Sequence, residues 1–243
     1  MFCGEVSADG IESANVVGYT STENIEAEKW YLLGVNFESV SGDEIPVQDF
    51  IKGVPPAATD GDAETTDAPQ LQVWNGIGYQ AFYYVDEDYD GETDCWVVGG
   101  FKATETLAIG QSVWFRTPNA CDAITISGQV ANPADTQVTL VPNKWNLVAN
   151  PYPKTFGLND GAFTLSGIPP AITDGDAETT DAPLIQVWTG IGYKEFYYVD
   201  EDYDGETDCW VVGGFKATEK IPVGAGFWVK FSGDADATIT FNK

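Results

Sequence analysis

Residues Gly53 to Glu105 recur as Gly167 to Glu219 at a constant offset of 114. Only Val54, Ala58, Gln70, Leu71, Asn75, Gln80 and Ala81 differ from their counterparts, which leaves 46 identities in 53 positions. Any fold must accommodate this stretch twice. Weaker kinship extends outward. Lys29-Trp30-Tyr31-Leu32-Leu33 answers Lys144-Trp145-Asn146-Leu147-Val148. Gly110-Gln111-Ser112-Val113-Trp114-Phe115 answers Gly224-Ala225-Gly226-Phe227-Trp228-Val229. All eight Trp fall into such pairs. Two tandem domains of about 120 residues are expected, 1–118 and 119–243, joined near Thr117-Pro118-Asn119-Ala120. Recent duplication accounts for the identity itself, so identity within the acidic loops carries no functional weight.

The local pattern is β. Short runs rich in Val, Ile, Tyr, Phe and Trp alternate with Gly, Pro, Asn and Asp clusters. In the first unit they are Trp30–Phe37, Leu71–Trp74, Tyr79–Val85, Trp96–Val98 and Ser112–Arg116, followed by Ala123–Val130 and Gln137–Val141. Asn75-Gly76 between two runs reads as a hairpin turn. Pro55-Pro56 and Pro169-Pro170 exclude a helix there. Ile45–Lys52 allows one short helical turn, and no segment sustains a 3.6-residue apolar period. The expected fold is all-β: two tandem, near-identical antiparallel β-sandwich or barrel domains. At this density, Trp and Tyr serve first as sheet-face and core packing.

Charge narrows the function. Acidic residues number 38 and basic residues 11, for a formal net charge of −27, and His is absent. Sites that need imidazole are excluded. A polyanion would be repelled, so nucleic acid is not an expected partner. No apolar run is long enough to span a bilayer, so no membrane insertion is expected. The first residues carry Glu5, Asp9 and Glu12 and show no signal-peptide pattern.

Two acidic loops per unit hold the most specific chemistry. The first is Asp86-Glu87-Asp88-Tyr89-Asp90-Gly91-Glu92-Thr93-Asp94, repeated as Asp200, Glu201, Asp202, Tyr203, Asp204, Gly205, Glu206, Thr207 and Asp208. Carboxylates at positions 1, 3 and 5 converge on one cation. Gly at position 6 permits the turn, and the carbonyl of position 7 (Glu92, Glu206) adds an oxygen. Position 9 is again Asp. The loop resembles the DxDxDG calcium loops of EF-hands, dockerins and thrombospondin-type repeats. It departs at position 12, where Val97 and Val211 replace a bidentate Glu. Strand patterns also flank it in place of helices. The second loop carries Asp60, Asp62, Glu64 and Asp67, repeated as Asp174, Asp176, Glu178 and Asp181. It offers a second metal site or a carboxylate for the first. Calcium is the expected cofactor, bound at about 0.1–1 mM without the missing Glu.

The four cysteines duplicate as well. Cys95 and Cys209 each follow the last Asp of the first loop, and Cys3 and Cys121 precede the first Trp of their units. One bridge per unit, Cys3–Cys95 and Cys121–Cys209, is the simplest pairing; Cys95–Cys209 competes, and free thiols are the alternative. Bridges and weak calcium sites both point to an extracellular location.

Glu12-Ser13-Ala14-Asn15-Val16-Val17-Gly18-Tyr19, the following Trp30-Tyr31-Leu32-Leu33-Gly34-Val35-Asn36-Phe37, and Gly224-Ala225-Gly226-Phe227-Trp228 resemble a pattern in secreted bacterial tandem-repeat proteins. There a Trp-led strand opens each β-unit and a Gly-x-Gly-Phe-Trp strand closes it. The resemblance implies secretion and surface association, and no activity. The leading expectation is a secreted or cell-surface structural protein, calcium-stabilised, that associates with copies of itself. The terminal runs Asn15–Thr20 and Ala237–Phe241 are candidate edges for strand addition. The alternative is a carbohydrate-binding adhesion module with two equivalent sites, in which one ring of Phe82-Tyr83-Tyr84 faces outward. No catalytic residues are expected: no specific carboxylate pair stands out, and a nucleophile would lack its usual base.

Overall fold

The computed structural model describes residues 17–40, 44–57, 68–86, 94–130, 135–172, 182–200 and 208–242. The first half holds β1 (Val17–Ile25), β2 (Trp30–Gly34), β3 (Ile45–Pro46), α1 (Val47–Phe50), β4 (Gln70–Trp74) and β5 (Tyr79–Asp86). It continues through β6 (Asp94–Val98), β7 (Phe101–Lys102), β8 (Thr106–Leu107), β9 (Ser112–Arg116) and β10 (Cys121–Gln129). The second half holds β11 (Asp135–Leu140), β12 (Asn146–Ala149), β13 (Phe156–Gly157), β14 (Phe163–Ser166), β15 (Ala171–Ile172) and β16 (Leu184–Trp188). It closes with β17 (Tyr193–Asp200), β18 (Asp208–Val212), β19 (Phe215–Lys216), β20 (Lys220–Ile221), β21 (Gly226–Lys230) and β22 (Ala237–Asn242). The class is all-β, and α1 is the one-turn helix expected near Ile45–Lys52.

The main sheet of the first half runs β2-β9-β4-β5-β6-β7, and that of the second runs β12-β21-β16-β17-β18-β19, with β15 also beside β17. Antiparallel hydrogen bonding joins neighbours along both. The β4–β5 hairpin turns as its sequence requires. Asn75 N–H donates to Gly78 O, the Asn75 side-chain oxygen accepts from the amides of Ile77 and Gly78, and Gly76 takes φ +90°. Thr189 replaces Asn75 in the copy and donates its hydroxyl to Gly192 O.

Alternation of side chains sorts each strand into two faces. One face of the first sheet carries Leu33, Leu71, Phe82, Val113 and Phe115, all buried. They pack with Phe37, Phe50, Trp96, Ile124 and Ile126 into one core. The second half builds its own core around Ile185, Phe196, Trp210, Phe227, Ile239 and Phe241. A side-chain clamp holds the strand after each first acidic loop. Gln48 bonds the backbone of Trp96 and Ala103, and Asn159 bonds that of Trp210 and Ala217. These clamps come from Val47-Gln48-Asp49 and Leu158-Asn159-Asp160, which lie outside the repeated block but share an aliphatic-amide-Asp order.

Two expectations about the ends differ from the structure. β10 pairs antiparallel with β1, from Val17↔Gln129 to Ile25↔Cys121, and buries Ile124 and Ile126 in the first core. A division after residue 118 assigns that strand to the other half. The equivalent β22 pairs with both β11 and β14. Ala237–Phe241 is therefore the centre of a three-stranded sheet and not an edge, because its alternate residues Ala237, Ile239 and Phe241 fill the second core. Asn15 and Val16 lie outside the described residues; Val17–Thr20 belongs to β1.

The other faces of the two main sheets meet. Trp30, Leu32, Trp74 and Trp114 of the first half pack with Trp145, Leu147, Trp188 and Trp228 of the second. The arrangement has a local two-fold character. Trp74 meets Trp228 edge-on with ring centroids 5.5 Å apart, and its counterpart Trp188 meets Trp114 at 5.3 Å. Trp74 Nε1–H donates to Trp145 O, and Trp188 Nε1–H donates to Trp30 O, both at 3.0 Å. Backbone bonds follow the same rule: Gly34 N–H to Gly224 O at 2.8 Å, and Ala149 N–H to Gly110 O at 2.7 Å. The two main sheets thus meet through an aromatic layer that lies between two aliphatic and aromatic cores.

Candidate functional site

The fold brings the roots of both acidic loops together in each half. Asp86 ends β5 and stands directly opposite Asp94, which begins β6. Asp200 and Asp208 face each other in the same register. Asp86 is 8% exposed and Asp200 6%. Like charges opposite one another on adjacent strands repel, and burial sharpens that cost. The segment leading to the second loop runs beside this pair. Ala57 bridges Val85 in parallel and accepts from Asp86 N–H at 3.1 Å. In the copy, β15 pairs in parallel with β17, Ile172 against Asp200. Ala68, where the second loop returns, packs with Val85, Cys95 and Val97. The position-12 residues Val97 and Val211 are buried in these small clusters.

Of the expected metal ligands, Asp86, Asp94, Asp200 and Asp208 lie at these roots. Asp88, Asp90, Glu92, Asp202, Asp204 and Glu206 lie outside the described residues. So do Asp60, Asp62, Glu64, Asp67, Asp174, Asp176, Glu178 and Asp181. Among the described residues no group of three or more acidic or Cys side chains converges.

The expected Cys121–Cys209 bridge and its competitor Cys95–Cys209 need correction. No disulfide joins Cys95, Cys121 and Cys209. β10 carries Cys121 against the first core, whereas Cys209 packs with Val199 and Val211 in the second half. A Cys121–Cys209 bridge would have to cross between them. Cys95 and Cys209 also sit in separate clusters. Cys3 lies outside the described residues. Burial, and then the neighbouring Asp122, raise the Cys121 thiol above its ordinary pKa.

The rings of Phe82-Tyr83-Tyr84 divide between a buried Phe82 and two half-buried tyrosines. Phe82 is in the core, Tyr84 stacks on Trp96 at 5.0 Å, and Tyr83 packs over the loop-root cluster, accepting from Gln70 Nε2 at 3.2 Å. A different aromatic site appears at the two-fold layer. Trp30, Gln72, Tyr79, Trp114, Trp188 and Tyr193 line an open cavity of about 230 Å³. Tyr79 is 44% exposed and Tyr193 43%. Trp114 Nε1–H donates to the Tyr79 hydroxyl at 3.2 Å, and Trp228 Nε1–H to the Tyr193 hydroxyl at 3.3 Å. Burial raises the Tyr79 pKa, partly offset by the Trp114 hydrogen bond, so its phenol stays protonated at neutral pH and keeps its own O–H to give. Two larger clefts lie at equivalent places, about 440 Å³ beside Trp30 and Trp188, which it shares with this cavity, and about 380 Å³ beside Trp74 and Trp145.

Sequence reasoning passed over Tyr79 and Tyr193. Their signal was their register, opposite Trp74 and Trp188 across the hairpin. That pairing marks the sheet face, but not what covers it. No family model, curated protein or solved structure matches this chain.

Proposed function

We propose that this chain is a secreted or cell-surface structural protein, ordered by calcium, that associates with copies of itself in an extracellular assembly. One observation carries the reading: in each half the roots of two acidic loops converge on a cross-strand pair of carboxylates, one of them buried. Like charges in facing register repel, a cation beside them relieves that repulsion, and hard oxygen ligands select a hard divalent ion. The close packing of the two units through the tryptophan layer supports a building-block role. Apolar hairpin tips support contact with another surface: Ile77, Phe101, Ile191 and Phe215 stand at least 78% exposed. Sedimentation velocity in millimolar calcium, and again after chelation, tests this. Large species that collapse to a compact monomer on chelation are expected. A monomer in both buffers would overturn self-association.

A second reading, binding of a neutral carbohydrate, draws on the aromatic cavity at the two-fold layer. Rings of Tyr79, Tyr193 and Trp30 offer stacking faces for a sugar ring, and Gln72 and the phenols offer hydrogen bonds at its rim. The strong negative charge disfavours acidic glycans. On this reading a neutral oligosaccharide perturbs tryptophan fluorescence, and the double variant Tyr79→Ala/Tyr193→Ala loses the response. A response retained in that variant would place any sugar site elsewhere.

A further inference from the structure

The two halves share 46 of 53 residues in the repeated block, yet outside it they differ at two places where they meet closely. Gly34 and Ala149 occupy equivalent places, four residues after the first Trp of each unit. They also face each other: a methyl group added at Gly34 would lie 2.6 Å from Ala149 Cβ. Ser112 and Gly226 are the second equivalent pair, each two residues before its sheet-face Trp. They too face each other, and a Cβ added at Gly226 would lie 2.6 Å from Ser112 Cβ. Real Cβ atoms do not approach this closely; Ser112 Oγ, nearer still to Gly226, can rotate, but the Cβ atoms of Ala149 and Ser112 are fixed by their backbones. Each contact therefore accepts one glycine and one side chain. Each unit supplies glycine to one contact and the side chain to the other. Ser112 also uses its buried hydroxyl, donating to Val148 O of the second unit at 2.6 Å.

We infer that the tryptophan face of each unit is built to accept the other unit and to reject its own kind. Two first units joined in this geometry would set Ser112 against Ser112. Two second units would set Ala149 against Ala149. Both meetings overlap, so the aromatic layer closes between unlike units, as it does within the single chain. Homotypic pairing between chains through this face is blocked, and self-association must use other surfaces, such as the hairpin tips or the outer edge of β1. The inference rests on packing alone and stands whether or not the chain binds calcium or assembles.

Four substitutions in the full-length chain test it. Gly34→Ala recreates the meeting of two second units, and Gly226→Ser recreates that of two first units. Each is expected to lower the melting temperature by about 5 °C or more, the usual effect of overpacking in a chain of this size. The compensated doubles, Gly34→Ala/Ala149→Gly and Gly226→Ser/Ser112→Gly, are expected to recover most of that loss, because each restores one glycine per contact. If a single variant fails to fold, recovery of a folded protein in its double still supports the inference. Single variants that melt like the parent chain, or doubles no better than the singles, would overturn it.

Discussion

Replacing Trp114 by Ala is expected to lower the melting temperature by about 10 °C, from the usual 3–5 kcal/mol cost of deleting a buried indole and the sensitivity of a chain of this length. Trp114 is buried at the centre of the aromatic layer. It touches Trp30 edge-on at 6.2 Å and Trp188 at 5.3 Å, and its indole N–H bonds Tyr79. Deletion leaves a void between two sheets that the surrounding rings cannot fill without moving both units. Trp228→Ala should cost a similar amount, since Trp228 makes the corresponding contacts with Trp145, Trp74 and Tyr193. Trp74→Phe keeps a ring but leaves Trp145 O without its indole donor, a loss on the order of 1 kcal/mol. Thermal unfolding followed by near-ultraviolet circular dichroism measures all three. A melting temperature unchanged in both Ala variants would show that the layer contributes little to stability.

Calcium at 10 mM is expected to raise the melting temperature by roughly 6–12 °C over chelator. Two sites with dissociation constants near 1 mM each add about 1.4 kcal/mol at that concentration, and each kcal/mol shifts a chain of this length by roughly 2–4 °C. Asp86→Asn combined with Asp200→Asn should abolish the increment. In chelator the same double variant should melt at or slightly above the parent, because it removes one of two like charges from each facing pair, a gain of a few tenths of a kcal/mol per pair. Differential scanning calorimetry in the two buffers reads the crossing directly. Equal losses in both buffers would mean that the carboxylates serve packing and not a cation.

Much of the strand pattern was legible in the chain. Tyr79–Asp86, Gln70–Trp74 and Ser112–Arg116 follow from alternation and β-branched or aromatic content, and the Asn75-Gly76 turn from its demand for positive φ. The short helix Val47–Phe50 also fell within the segment that permitted it. Partnership was not legible. Nothing local in Ala237–Phe241 shows that strands arrive on both its sides, and nothing in Cys121–Gln129 shows that it returns to a strand about a hundred residues earlier. The same limit misplaced the cysteine pairing, since Cys121 travels with its strand.

The candidate site divides in the same way. Asp86 and Asp94 could be named from spacing, but their facing register and the burial of Asp86 arise from the β5–β6 hairpin. The root of the second loop reaches the same place through a parallel contact at Ala57 that no sequence period announces. Tyr79 and Tyr193 became candidate binding residues only when the opposite unit supplied the rest of the cavity.

By itself the sequence determined the all-β class, the doubling of the unit, the pairing of every Trp with a counterpart and the strong negative charge, because these depend on composition and on short-range periods. The tertiary structure decided which sheet faces meet, that six of the tryptophans form a layer between units while Trp96 and Trp210 go to the cores, and that the side chains of Ala149 and Ser112 each stand against a glycine of the other unit. The physical reason is that alternation tells a strand which residues share a face but not what that face will touch. Close contact between faces is settled at distances of a few ångströms by atoms more than a hundred residues apart in the chain.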